Sequence, residues 1–215
     1  SGAEANNVGV GSNALFAVTT GGNNTAIGKD SLHGVTTGEN NVAIGKDALY
    51  YGTTETDDNV AIGYGAMVGN FGTNAVNDCV AIGSTALDGV LTSAASGSVA
   101  VGRDSLGALT SGTGNVAVGY QALTTENTGG YSTAVGYRAL KDQVGITYAY
   151  NTAVGFEAGL DLTTGVKNVA LGSYALGNCL LPDSCVAIGY LAAGTGVLTA
   201  AADGTVAIGD SALTA

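Results

Sequence analysis

The 215-residue sequence has no tryptophan, one proline, one histidine, one methionine and three cysteines. Only 11% of its residues are charged, and 6 Lys and Arg stand against 17 Asp and Glu, a formal net charge of −11. Each shortage closes a route. Collagen needs abundant proline and glycine at every third position. A coiled coil needs far more Glu, Lys and Leu. Nucleic acid is excluded as a partner, because a field of this sign repels phosphate. Three cysteines are too few for a disulfide scaffold and lack zinc-ligand spacing. No stretch reaches the ~18 uninterrupted apolar residues of a membrane-spanning helix. Residues 1–7 show no basic segment followed by an apolar run, so no signal peptide is read. The absence of an initiating Met leads us to expect a processed product or a segment of a longer chain. What the sequence does have is 36 glycines and 46% hydrophobic residues, a composition far from that of disordered chains.

Those residues are organised as one repeat. The unit Asn-Val-Ala-Ile-Gly-x-x-Ala-Leu is clearest at Asn41 to Leu49 and recurs twelve times from Asn7 to Leu213. Its central glycines are Gly11, Gly28, Gly45, Gly63, Gly83, Gly102, Gly119, Gly136, Gly155, Gly172, Gly189 and Gly209, spaced 17 to 20 residues apart. Length variation is confined to Thr/Gly-rich connectors, the longest being Val68 to Asp78, Lys141 to Tyr150 and Gly194 to Gly204. No linker interrupts the series, so residues 1–215 read as a single repeat domain.

Val42-Ala43-Ile44 alternates large, small, large, the period of a strand. The glycine ends it, and Ala48-Leu49 is expected to begin a second strand. A unit this short cannot bury its apolar face alone, whereas stacked copies can. The chain therefore reads as an all-β parallel β-roll or β-solenoid of about twelve turns, a rod roughly 57 Å long at ~4.8 Å per turn. With the Val/Ile face and the leucines filling the interior, the middle residue of each strand points outward. That position is Ala26, Ala43, Ala61, Ala81, Ala100, Ala117, Ala134, Ala153, Ala170, Ala187 and Ala207, with Gly9 in the first copy. A ladder of small apolar residues on an outer face predicts cover by another copy of the chain. Thr25, Thr133 and Thr152 then fall on the inner face.

No catalytic constellation or cofactor motif is present. His33 has no partner motif and reads as a loop residue. Gly22 to Lys29 fails as a phosphate loop in spacing, and Asp30 stands where Ser or Thr is needed. The Asn opening most repeats (Asn7, Asn24, Asn41, Asn59, Asn115, Asn151, Asn168) predicts a stacked amide ladder at a corner. Cys79 and Cys185 take that Asn position. Cys179 and Cys185 share a connector, where a local disulfide and free buried thiols both remain open. Lys29-Asp30, Lys46-Asp47 and Arg103-Asp104 read as exposed ion pairs. The candidates for surface recognition are aromatic: Tyr64, Tyr120, Tyr137 and Tyr190 after the central glycine, and Phe71, Tyr148 and Tyr150 in long connectors.

The motif Asn-[Val/Thr]-Ala-[Ile/Val]-Gly-x-x-[Ala/Ser], in twelve copies across the chain, resembles the head repeats of trimeric autotransporter adhesins, the YadA-like head. Related repeats occur in phage and algal-virus fibre proteins. The resemblance implies a left-handed parallel β-roll, a side-by-side homotrimer, and a non-enzymatic extracellular module on a bacterial cell surface or virion. Such a module contacts a host-surface protein or glycan. The spacing here is longer than in bacterial heads. Two alternatives stand beside this expectation: a structural fibre segment of a phage tail or viral capsid surface, and a monomeric solenoid binding polysaccharide or ice.

Overall fold

Three-residue strands form wherever the repeat places two β-branched residues around one small residue, because Val, Ile and Thr suit a pleated surface. A computed structural model of the chain describes residues 6–52, 55–195 and 202–214. Twelve strands follow one another: β1 (Val8–Val10), β2 (Thr25–Ile27), β3 (Val42–Ile44), β4 (Val60–Ile62), β5 (Val80–Ile82), β6 (Val99–Val101), β7 (Val116–Val118), β8 (Thr133–Val135), β9 (Thr152–Val154), β10 (Val169–Leu171), β11 (Val186–Ile188) and β12 (Val206–Ile208). They form one parallel sheet in sequential order. Each repeat pairs in register with the next, Ala26 opposite Ala43 and Ala43 opposite Ala61. The molecule is a β-solenoid, and twelve strands in consecutive pairing enclose about eleven turns.

The second strand expected at Ala48-Leu49 does not form. The chain there alternates right- and left-handed backbone, with Asp47 at φ 58° and Leu49 at φ 50°. Ladder bonds between turns persist: Leu32 N donates to Ala48 O at 3.0 Å and Leu49 N to Ala66 O at 2.9 Å. A circuit of 17 to 20 residues must reverse direction around a very thin interior, and this alternation does so while keeping amides aligned with the long axis. Left-handed φ is uncommon for leucine. Its cost, of order 1–3 kcal/mol, is offset by burying a side chain worth about the same.

The facing of the strands is the reverse of the expectation above. Ala26, Ala43, Ala61, Ala81, Ala100, Ala117, Ala134, Ala153, Ala170, Ala187 and Ala207 point into the solenoid and are buried within a single chain, none more than 3% exposed. They are not available to a neighbouring chain. The Val/Ile positions point outward instead, and Thr25, Thr133 and Thr152 go with them. Across the interior the alanines meet Leu32, Leu49, Met67, Leu87, Leu106, Leu123, Leu140 and Leu176, all buried. The space between strand and opposite wall is filled by one leucine and one alanine; a Val or Ile on the strand side would overfill it. A third buried column comes from the connectors and includes Val35, Phe71, Leu91, Leu109 and Leu162. Phe71 was expected at the surface. It lies in the core because the Val68 to Asp78 connector folds inward at the position that the next turn fills with Leu91.

The central glycines stack directly upon one another. Gly45 has φ +131°, and a Cβ there would sit 2.5 Å from the carbonyl oxygen of Gly63. Both the backbone angle and the neighbour require glycine.

Candidate functional site

The outward sheet face is a long, chemically uniform surface. Of its twenty-four strand side chains, three are threonine and the rest are Val, Ile or Leu. No charged residue interrupts it. Within one chain these side chains are half-buried to exposed, including Ile27, Ile82 and Val154. The strip measures roughly 57 Å by 10 Å from strand spacing and rise.

An aromatic row borders the strip on the C-terminal side of the strands. Tyr120 and Tyr137 stack with ring centroids 5.3 Å apart, and Tyr137 and Phe156 at 5.0 Å. Edge contacts continue the row through Tyr174 to Tyr190. Tyr64, in the same column, receives Lys46 Nζ over its ring at 5.1 Å. All but Tyr174 are exposed. Faces in the Tyr120–Tyr137–Phe156 stack are spent on one another, so the stack offers ring edges and hydroxyl groups to the outside. Tyr174 was not foreseen; it sits one residue later than its neighbours, after Ser173.

On the N-terminal side lies the corner that precedes each strand. The amide ladder is present. Asn24 Oδ1 accepts from Asn41 N at 2.9 Å, and Asn24 Nδ2 donates to Gly38 O at 2.8 Å. Asn59 Oδ1 accepts from Cys79 N at 3.0 Å, while its Nδ2 donates to Asp57 O and Val76 O. Cys79 serves the same corner with sulfur, donating to Asn77 O at 3.4 Å and Ala95 O at 3.6 Å. Cys185 does likewise toward Asp183 O and Ala202 O. These residues staple one turn to the next and have little left for a ligand. All three cysteines are buried and none forms a disulfide, which resolves the alternatives for Cys179 and Cys185. Burial pushes the Cys79 thiol above its ordinary range.

Just outside this ladder, Tyr131, Tyr148 and Tyr150 form a second aromatic group, with centroids 5.4 to 6.1 Å apart. All three are exposed. Tyr131 was not foreseen. Behind it, two core positions turn polar. Glu126 and Gln143 occupy the connector column that Leu109 and Leu162 fill elsewhere, and both are fully buried. Glu126 Oε1 accepts backbone N–H bonds from Thr128, Gly129 and Gly145 at 3.1, 2.6 and 2.9 Å. Aligning the connectors three residues after each leucine would have revealed both substitutions.

The remaining charges are local. Lys29–Asp30, Lys46–Asp47 and Arg103–Asp104 pair at 3.5, 2.7 and 3.3 Å, as expected from adjacent residues. Arg138 adds a pair between turns with Glu157 at 2.7 Å. The Asn13 amide, with Lys29 beside it, holds the Asp30 carboxyl below its usual range. Asp30, Asp47, Tyr50, Tyr51 and Val68 line a shallow depression of about 250 Å³. Both of its carboxylates already have lysine partners. His33 stacks between Phe16 and Tyr50, at 4.9 and 4.7 Å. Among the described residues, no three His, Cys, Asp or Glu side chains come together as a metal site would require. The connector at Gly194 to Gly204 lies partly outside the described residues.

Comparison with family models and with curated proteins finds no match. Among the described residues, no helix is long and apolar enough to cross a membrane.

Proposed function

We propose that this chain is a non-enzymatic fibrous module that associates side by side with two further copies through its Val/Ile face. It works outside the cell, on a bacterial or virion surface, and meets a host-surface protein or glycan through its outer corners and connectors. The observation that carries this reading is the uncharged apolar face running the whole length of the sheet. Contiguous apolar patches beyond a few hundred Å² mark interaction sites on soluble proteins. The strip is on the order of 500 Å², and the flanking aromatic row extends it. A partner for such a face must be equally long, straight and apolar, and a second copy of the chain fits that description. Closed cyclic symmetry lets every copy cover its face without forming an open filament. The resemblance to YadA-like head repeats supports three copies and a surface-binding role.

The test is solution molar mass by light scattering at low micromolar concentration. We expect three times 20.8 kDa. Replacing Ile44, Ile62 and Val118 together with lysine should return the mass to that of one chain, because buried unpaired charges oppose association. A wild-type mass of one chain would overturn the trimer. The Val/Ile/Thr face would then belong to a monomeric solenoid that docks on some other flat surface.

A further inference from the structure

Three departures from the repeat coincide in two neighbouring turns. The first is in the corner column two residues before each strand, where the backbone takes left-handed φ. Its occupants are Asn23, Asn40, Asp58, Asp78, Gly97, Gly114, Lys167, Ser184 and Gly204, but Tyr131 and Tyr150 in the seventh and eighth turns. Asn, Asp and Gly tolerate this conformation, and a bulky aromatic does so at a cost. Tyr131 has φ 62° and Tyr150 φ 50°. The corner does not need the rings, since Asn40 N bonds to Gly22 O there just as Tyr131 N bonds to Thr113 O.

The second departure is length. It is a local one: at 19 residues, within the 17 to 20 found along the chain, the circuit from Gly136 to Gly155 is two residues longer than the circuits on either side of it. Tyr148, within its connector, joins the pair. The third lies beneath. Glu126 and Gln143 replace apolar core residues, and their bonds converge on the backbone and side chains next to the tyrosines. Gln143 Nε2 donates to Ser132 Oγ at 3.0 Å, and Gln143 Oε1 accepts from Asn151 Nδ2 at 2.9 Å. Ser132 and Asn151 immediately follow Tyr131 and Tyr150. Places where a sequence breaks its own local rules in concert are where function is found, and a rigid second layer under an exposed one is how binding sites are held.

We propose that Tyr131, Tyr148 and Tyr150 form a platform for the apolar face of a neutral pyranose in a glycan. Tyr131 is the base: a side chain at Gly114 would stand 3.2 Å from its ring, and Tyr148 and Tyr150 lie in the turn beyond it. Tyr148 and Tyr150 stack on Tyr131 and on each other, yet at 58% and 49% exposure they keep more outer ring surface than the Tyr120–Tyr137–Phe156 stack, and they add hydroxyl groups, an apolar body with a polar tip. The platform sits at an exposed corner of the solenoid, where a flat sugar face can reach the rings. A net charge of −11 disfavours sialylated or sulfated sugars. This inference rests on the surface-contact reading above and gives it a ligand class.

The experiment presents immobilised cello-, chito-, xylo- and manno-oligosaccharides, with sialyllactose as the anionic control, to the full chain in its own oligomeric state. Tyr148→Ala and the double variant Tyr131→Asn/Tyr150→Asn are compared with wild type and with Phe16→Ala, an exposed aromatic remote from the platform and from the Val/Ile face. Asn is the residue the corner column already uses, so the double variant keeps the fold, checked by molar mass and circular dichroism. We expect retention on at least one neutral oligosaccharide, weakened tenfold or more in both platform variants and less than twofold in Phe16→Ala. Retention on none at millimolar sugar, or equal retention by all variants, overturns the platform. So does a loss of cell binding by Tyr148→Ala that persists on enzymatically deglycosylated cells, since the partner is then a protein. Wild-type chain that still binds cells when the platform fails leaves the surface-contact reading standing; chain that binds no cell or glycan removes both.

Discussion

Gln143 Nε2 donates to Glu126 Oε2 at 2.8 Å in the interior of the solenoid, in two successive turns whose neighbours place leucine at the same position. The two residues are unequal partners. Glu126 also accepts three backbone N–H bonds, whereas Gln143 bonds mainly to side chains. Replacing Glu126 with Leu strands several donors away from water and should cost about 3 kcal/mol or more. Gln143→Leu should cost about 1–2 kcal/mol, because Asn151 Nδ2 retains its bond to Gly165 O. Urea unfolding of both single variants and the double variant, at one protein concentration, gives the coupling; we expect about 1 kcal/mol, and strict additivity would refute it.

Asn59 is held on both sides of its turn, by Asn41 Oδ1, Asp57 O and Val76 O, and by the Cys79 N–H. Asn59→Ala should lower stability by about 3 kcal/mol, since buried donors and acceptors are left unpaired. Asn59→Cys should cost distinctly less, because Cys79 and Cys185 already do this work through sulfur. Equal melting temperatures for the two variants would show that the ladder's hydrogen bonds do not decide stability.

Gly45→Ala and Gly209→Ala should differ although both have positive φ, +131° and +125°. At Gly45 the new methyl meets the Gly63 carbonyl. At Gly209, in the last turn, the nearest atom is the Ala212 Cβ at 4.0 Å. The second variant carries backbone strain alone, about 1–3 kcal/mol, and the first carries a steric clash on top of it. Thermal unfolding should separate them by several degrees.

Desolvation raises the Asp88 carboxyl above its ordinary value of 3.8, and the nearby Asp104 adds to the effect. A folded-state pKa above the unfolded one favours the folded protein when the group is protonated. That contribution is full below pH 3.8 and is lost as pH rises through the elevated value. Asp88→Asn should therefore raise the melting temperature at pH 7, with the gain vanishing toward pH 3. A gain independent of pH would assign the effect to packing instead.

Much of this architecture is written in the repeat. Twelve copies of one unit with a strand-period core and a terminal glycine dictate stacking, because no single copy can bury itself. The Asn corner was legible for the same reason, since an amide recurring in register must meet its own kind one turn on. Aromatic candidates such as Tyr120, Tyr137, Tyr148 and Tyr150 could be named from exposed-loop logic. Phe71 could not be placed that way, because the inward fold of its connector follows from the width of the interior and not from its length. Tyr131, Glu126 and Gln143 become visible when the connectors are read as columns, and the importance of the group appears only when two successive turns are brought together.

The sequence alone determined that Val42 and Ile44 share one face of the strand and that Ala43 takes the other, because alternation along a strand is a covalent property of the backbone. Which face looks inward was decided by tertiary structure. Leu49 adopts a left-handed backbone and swings across the interior, and the room it leaves opposite is the size of a methyl group. Alanine fits that room, so the branched residues are turned outward, and a face that pattern alone would bury becomes the one the protein presents.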